Sequence, residues 1–230
     1  MRWISLFCIS ALFALGSLHG PKAFASVVVE YDLSGEPGDQ ESTAATNSAA
    51  NVTGLSVTRS AGLNPTGAAN SISANGWAVG EYFSFGFEVA EGFFADLSSL
   101  EIGTRASNTG PGFTELYYSG DGFTNSLAQI AQSGTAFANN PIDISSLTGL
   151  TGSVEFRLTM DDTVSANGGT VAGSGTYRIT NYFGEEGNTG GFRVNGTVSA
   201  VPEPGTTAAI GLLAVGVFAR RHGFLRKKTV

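Results

Sequence analysis

Between Tyr82 and Val89 the chain alternates strictly, with Phe83, Phe85, Phe87 and Val89 on one side and Tyr82, Ser84, Gly86 and Glu88 on the other. A period of two turns one face of an extended segment to a core and leaves the other wet. Residues 153–160 repeat the device, with Val154, Phe156, Leu158 and Met160 inward and Glu155, Arg157 and Thr159 outward. One wet face per strand is the habit of antiparallel sheets. Weaker runs of β-branched and aromatic residues predict further strands over 27–31, 52–59, 97–104, 113–119, 127–132, 176–183 and 191–199. Residues 35–51 and 63–75, rich in Gly, Pro, Ser, Thr and Asn, read as loops. Short helical turns are expected at 98–100 and 143–147, but no longer window keeps a 3.6 period. About nine strands separated by turns predict an all-β fold: a two-sheet antiparallel β-sandwich, jelly-roll-like, with consecutive strands alternating between sheets.

The two ends follow another pattern. Met1-Arg2-Trp3 is a short positive start, residues 4–18 are apolar, and Ala23-Phe24-Ala25 offers a small-x-small cleavage site before Ser26. This is the form of a secretory signal, so residues 1–25 are expected to be a signal helix removed on export. The domain expectation is therefore a signal peptide over 1–25, a β-sandwich over 26–200 and a separate C-terminal segment over 201–230.

Charge sharpens the division. All 19 acidic residues lie between Ser26 and Pro204, where the only basic residues are Arg59, Arg105, Arg157, Arg178 and Arg193. So acidic a surface repels phosphate backbones and argues against nucleic acid as a partner. The single cysteine, Cys8, and both histidines, His19 and His222, also fall in the end segments. The central domain thus has no disulfide, no ordinary zinc, haem or copper site, and no Ser-His-Asp or Cys-His nucleophile. A carboxylate pair could serve a glycosidase without histidine, yet no spacing singles one out. A non-enzymatic role is the expectation.

Three groups of residues remain as binding candidates. Trp77, the only tryptophan of the central domain, is one possible sugar-stacking surface. Tyr117 and Tyr118 are another, since adjacent strand residues point to opposite faces and one ring should be exposed. They lead into Ser119-Gly120-Asp121-Gly122-Phe123, which reads as a tight hairpin turn. Asp121, Asp161 and Asp162 could supply oxygens to a structural calcium, with Glu185-Glu186 as further acids, although no D-x-D-x-D-G loop occurs. No other cofactor is expected.

At the C-terminus Val201-Pro202-Glu203-Pro204 precedes an apolar run over 206–219 and then Arg220, Arg221, Arg226, Lys227 and Lys228. The run is shorter than the roughly 20 residues that cross a bilayer core, but a basic stop after an exported domain favours a transmembrane helix. The order of motif, apolar span and basic cluster resembles the PEP-CTERM sorting signal of Gram-negative bacterial surface proteins. The resemblance implies recognition by an exosortase, with Pro202, Glu203 and Pro204 as the recognised motif, and membrane anchoring before processing. It further implies a surface or extracellular-matrix role beside exopolysaccharide, as in a biofilm. A carbohydrate-binding module is the alternative, and a calcium-dependent polysaccharide-active enzyme the third reading.

Overall fold

The computed structural model of the protein describes residues 26–181 and 192–202. The expected signal helix lies outside them, as does the C-terminal segment apart from Val201 and Pro202. Among the described residues no helix is long and apolar enough to cross a membrane.

In chain order the strands begin with β1 (Ser26–Tyr31), β2 (Pro37–Gly38), β3 (Asn47–Ser48), β4 (Val52–Arg59), β5 (Asn64–Pro65), β6 (Ser71–Asn75) and β7 (Tyr82–Val89). They continue with β8 (Phe93–Ala106), β9 (Phe113–Tyr118), β10 (Ala128–Ala131), β11 (Ala138–Asp143), β12 (Gly152–Thr159), β13 (Tyr177–Thr180) and β14 (Phe192–Ala200). The result is the expected β-sandwich. A nine-stranded sheet runs β2, β6, β13, β8, β14, β1, β3, with β11 added to β8 and β5 to β6; a five-stranded sheet runs β10, β9, β12, β7, β4. Only the short β2 contact with β6 is parallel among these pairs. From β6 to β13 the chain passes repeatedly between the sheets, the jelly-roll habit that the strand spacing predicts.

Strand β8 is the spine of the larger sheet. Thr104 is paired with Ala138 of β11 and Ile179 of β13, while Glu101 is paired with Pro141 of β11 and Arg193 of β14. β11 therefore occupies one edge of β8, and β13 and β14 follow one another along the other.

The alternating residues make the core. Phe83, Phe85 and Phe87 of β7 and Val154, Phe156 and Leu158 of β12 are all buried. Phe85 stacks on Phe156 at 5.6 Å and meets Phe192 of the opposite sheet edge-on at 4.7 Å. Tyr31 stacks on Phe192 and sends its hydroxyl across the sandwich. That oxygen lies 2.8 Å from the Leu55 carbonyl and 2.7 Å from the Gly86 carbonyl, and it accepts the Gly86 N–H at 3.1 Å. The ladder between β4 and β7 slips just past Leu55, so a side chain from the other sheet serves backbone groups beside an irregularity.

Several local expectations give way to tertiary context. Residues 63–75 hold β5 and β6 rather than one loop, and Ser71, Ile72, Ser73 and Ala74 are buried. Their small side chains suit a covered strand, and the Ser73 hydroxyl meets that of Thr66 at 2.8 Å. Residues 35–51 carry the two short strands β2 and β3. The expected helical turn at 98–100 lies inside β8, where the register skips Ser98 between Leu97 and Ser99. Residues 143–147 begin at the end of β11 and then form a turn closed by the Leu147 N–H on the Ile144 carbonyl, 3.0 Å. β11 itself contains Pro141, which an edge strand tolerates and which masks it in the sequence.

Candidate functional site

The outward residues of the five-stranded sheet gather around Arg157. In register it stands opposite Tyr117 of β9 on one side and Ser84 of β7 on the other, with Tyr82 on the adjacent diagonal. Its guanidinium lies 4.4 Å from the centre of the Tyr82 ring and 3.7 Å from that of Phe123. Nε also donates to Glu155 Oε1 at 2.9 Å, and both partners keep about a third of their side chains exposed (29% and 32%). An ion pair so exposed adds little stability, so the arrangement is better read as an ordered, accessible surface.

Local chain geometry brings Phe123 over the sheet. Ser119–Asp121 forms a 3-10 turn, Gly122 follows at φ 71, and Phe123 is itself left-handed at φ 59. A bulky residue in that region is strained and needs holding. Its N–H donates to the Tyr118 carbonyl at 3.0 Å, and Asp121 Oδ1 and Oδ2 accept the N–H groups of Thr124 and Asn125. The side chain of Asn125 is the main cause that holds the Asp121 carboxyl below its usual range.

On the other side of Arg157, the Tyr117 hydroxyl donates to Asp161 Oδ2. That bond, with some burial and nearby carboxylates, pushes the phenol up to about 12, so it remains neutral at ordinary pH. Further out, Glu115 accepts from Ser126 and, at 2.7 Å, from Gln129 of β10. The face therefore offers half-buried aromatic rings flanked by planar amide, carboxylate and guanidinium groups.

The sequence candidates are distributed differently from their expected grouping. Tyr117 and Tyr118 do take opposite faces: Tyr117 stands on the wet surface, while Tyr118 packs against Phe156 with ring centres 5.8 Å apart. Trp77 is corrected from glycan platform to core. It is 4% exposed, meets Phe83 and Tyr177 edge-on, and donates Nε1–H to the Ala74 carbonyl at 3.0 Å. No ring face is left for a sugar.

Asp121, Asp161 and Asp162 are not gathered into a calcium site. Asp121 caps its own turn, Asp161 accepts from Tyr117, and Asp162 Oδ1 accepts the Val164 N–H at 3.0 Å. Among the described residues no three acidic, histidine or cysteine side chains come close enough to hold a metal. Glu185 and Glu186 lie outside those residues. Because these three aspartates lie apart, replacing all of them by asparagine is expected to leave the response of the melting temperature to calcium unchanged, which thermal unfolding with calcium and with a chelator would check; a calcium response lost in the triple variant would show that they act together.

Ser26 starts β1 and donates Oγ–H to the Gly196 carbonyl at 3.2 Å. Val201 donates its N–H to Gly92 at 2.8 Å, the last backbone tie of the sandwich among the described residues, and Pro202 is exposed. Ala23, Ala25, Glu203, Pro204, Arg220, Arg221, Arg226, Lys227 and Lys228 lie outside the described residues. Beyond that tie, residues 200–227 match the family model of the PEP-CTERM protein-sorting motif. The chain carries a PEP-CTERM sorting motif. The PEP-CTERM motif implies an exported surface protein processed by an exosortase.

No curated protein matches the sequence. Similar solved structures include a tyrosine-to-alanine variant of CBM29-2, a family 29 carbohydrate binding module. It is 11% identical over 68% of this chain and 89% of that chain, with a TM-score of 0.37. A lysine-to-alanine variant complexed with cellulohexaose is 12% identical over 76% of this chain and 91% of that chain, TM-score 0.35.

Proposed function

We propose that the protein is a non-enzymatic surface or extracellular-matrix component that holds exopolysaccharide on the wet face of its five-stranded sheet. The observation carrying this reading is the Tyr82, Arg157 and Phe123 stack beside the Tyr117 and Asp161 pair. Sugar rings present C–H faces that pack on aromatic surfaces, and their hydroxyls pair with planar polar groups of the kind that Glu155, Glu115 and Gln129 supply. The sorting motif accounts for delivery: a signal helix exports the chain, the tail spans the membrane, and exosortase acts on the Val201-Pro202-Glu203-Pro204 segment. Association with a biofilm matrix follows from a glycan-holding domain released at the surface.

Affinity electrophoresis through gels containing neutral exopolysaccharide tests the reading. Arg157→Ala and Tyr117→Ala should each weaken retention by roughly tenfold, the effect of losing an interface anchor of about 1–2 kcal/mol. Equal retention of both variants and the unaltered protein, with melting temperatures unchanged, would sink it.

A further inference from the structure

The nine-stranded sheet carries a pair of adjacent positive charges. Arg178 of β13 and Arg105 of β8 are directly opposite in the ladder, and both guanidinium groups lie over the Phe137 ring, at 5.3 and 4.4 Å from its centre. Like charges placed opposite one another across a ladder are destabilising. Burial lowers the readiness of Arg178 to carry its charge, and the neighbouring Arg105 adds to the effect.

The other three arginines between Ser26 and Pro204 are engaged. Arg157 pairs with Glu155 and Arg193 with Glu101, while Arg59 donates to the carbonyls of Gly38, Gln40 and Ser73. Arg105 donates Nε–H to the Thr135 carbonyl at 2.7 Å, and among the described residues neither it nor Arg178 meets a carboxylate. Glu101, the acid farther along the same face of β8, is already held by Arg193 and Asn195. In a chain with 19 acidic residues, two adjacent arginines that meet none of them among the described residues are an unusual placement.

A groove of about 210 Å³ opens over the pair, lined by Ser73, Ser107, Thr135 and Thr176 besides the two arginines, and among the described residues its wall holds no acidic side chain. Guanidinium forks match the two oxygens of a carboxylate, and the surrounding hydroxyls and carbonyls suit the hydroxyls of a sugar. The volume is small for a nucleotide-sized ligand but adequate for one pyranose ring.

We propose that this groove is an anion site that binds the carboxylate of a uronic-acid unit in an acidic polysaccharide. The assignment to a saccharide rests on the glycan reading above, but the site lies on the other sheet and uses different residues. It would give the protein two glycan contacts, one indifferent to charge and one selective for it. An acidic protein should be repelled by a polyanion, so retention on one requires a local site of this kind.

Retention of the full chain in gels of polygalacturonate, of its neutral methyl ester and of neutral exopolysaccharide separates the possibilities. The unaltered protein should be held more strongly by the free acid than by the ester, and the preference should fade with added salt. Arg105→Gln/Arg178→Gln should abolish the preference, a loss of at least about tenfold, while retention on neutral exopolysaccharide stays as it was. If Arg157→Ala lowers neutral retention but the double variant keeps the acid preference, the groove assignment is overturned and the glycan reading stands. Inorganic sulfate and phosphate form a further arm: competition by either at the same concentration as monomeric galacturonate would make this a general oxyanion site and overturn the saccharide assignment. Stability supplies an independent readout. Because the pair is repulsive, Arg178→Gln should hold or raise the melting temperature, and a fall of several degrees would mean that the arginines serve the fold instead.

Discussion

Gly86→Ala is expected to cost the sandwich about 3 kcal/mol or more, lowering its melting temperature by roughly 10 °C. Gly86 lies in the middle of β7, flanked by Leu55 of β4 and Glu155 of β12. A methyl group there would sit 2.0 Å from the Val154 carbonyl oxygen and 3.0 Å from the Glu155 Cα. Both obstacles are backbone atoms of a central strand, so neither can swing aside as a flexible side chain could. Moving β12 away would disturb Phe156 and Leu158, which are fully buried, and would pull the Gly86 amide and carbonyl from the Tyr31 hydroxyl. Since a domain's whole stability is about 5–15 kcal/mol, the change takes a large share of it. Urea unfolding of the two proteins measures the difference, and a shift within about 0.5 kcal/mol, as at an ordinary surface position, would show that the strands can part without cost.

The same strand illustrates what a sequence exposes and what it hides. β7 was legible to the residue because large apolar side chains alternate with polar ones, and β12 nearly so for the same reason. β6 was not, because its core-facing residues are only Ile72 and Ala74 and its outward Ser71 and Ser73 are buried by neighbouring chain. Hydrophobic alternation records a wet face, and a strand covered on both sides by small residues has none to record. Ser98 misled in another way: an extra residue in β8 breaks the alternation locally and imitates a turn.

The candidate site was legible residue by residue but not as a site. The period of two already places Tyr82 and Arg157 on wet faces and exposes one of Tyr117 and Tyr118 without saying which. What assembles them is register between strands far apart in the chain, together with the left-handed backbone at Phe123, and neither is a local property. The Arg105 and Arg178 pair needed the β8 and β13 register in the same way. Trp77 shows the opposite error, since its size and indole N–H suit a ligand platform and a core equally; only its burial against Phe83 and Tyr177 decides.

Alkali is expected to unfold the protein through its buried phenols. Tyr177 is wholly buried, and that burial pushes it from 10.0 up to about 12, partly offset by its hydrogen bond with Thr114. Tyr31 is pushed up by burial too, against the opposing bond with Gly86. In the unfolded chain both ionise near 10.0, whereas in the fold they must stay neutral to considerably higher pH. The folded state therefore retains protons that the unfolded state releases, and stability, complete below pH 10, falls as pH rises toward 12. For Tyr177 alone the loss is on the order of 3 kcal/mol across that window, and Tyr31 acts in the same direction. No lysine lies between Ser26 and Pro204 to titrate alongside them. Urea unfolding at pH 8, 10 and 11.5 should show little change over the first interval and a steep decline over the second. Tyr177→Phe starts less stable, because the Thr114 hydroxyl loses its partner, yet it should decline less steeply. A variant that falls as steeply as the unaltered protein would show that Tyr177 does not carry the alkaline sensitivity, and Tyr31→Phe would then test the other buried phenol.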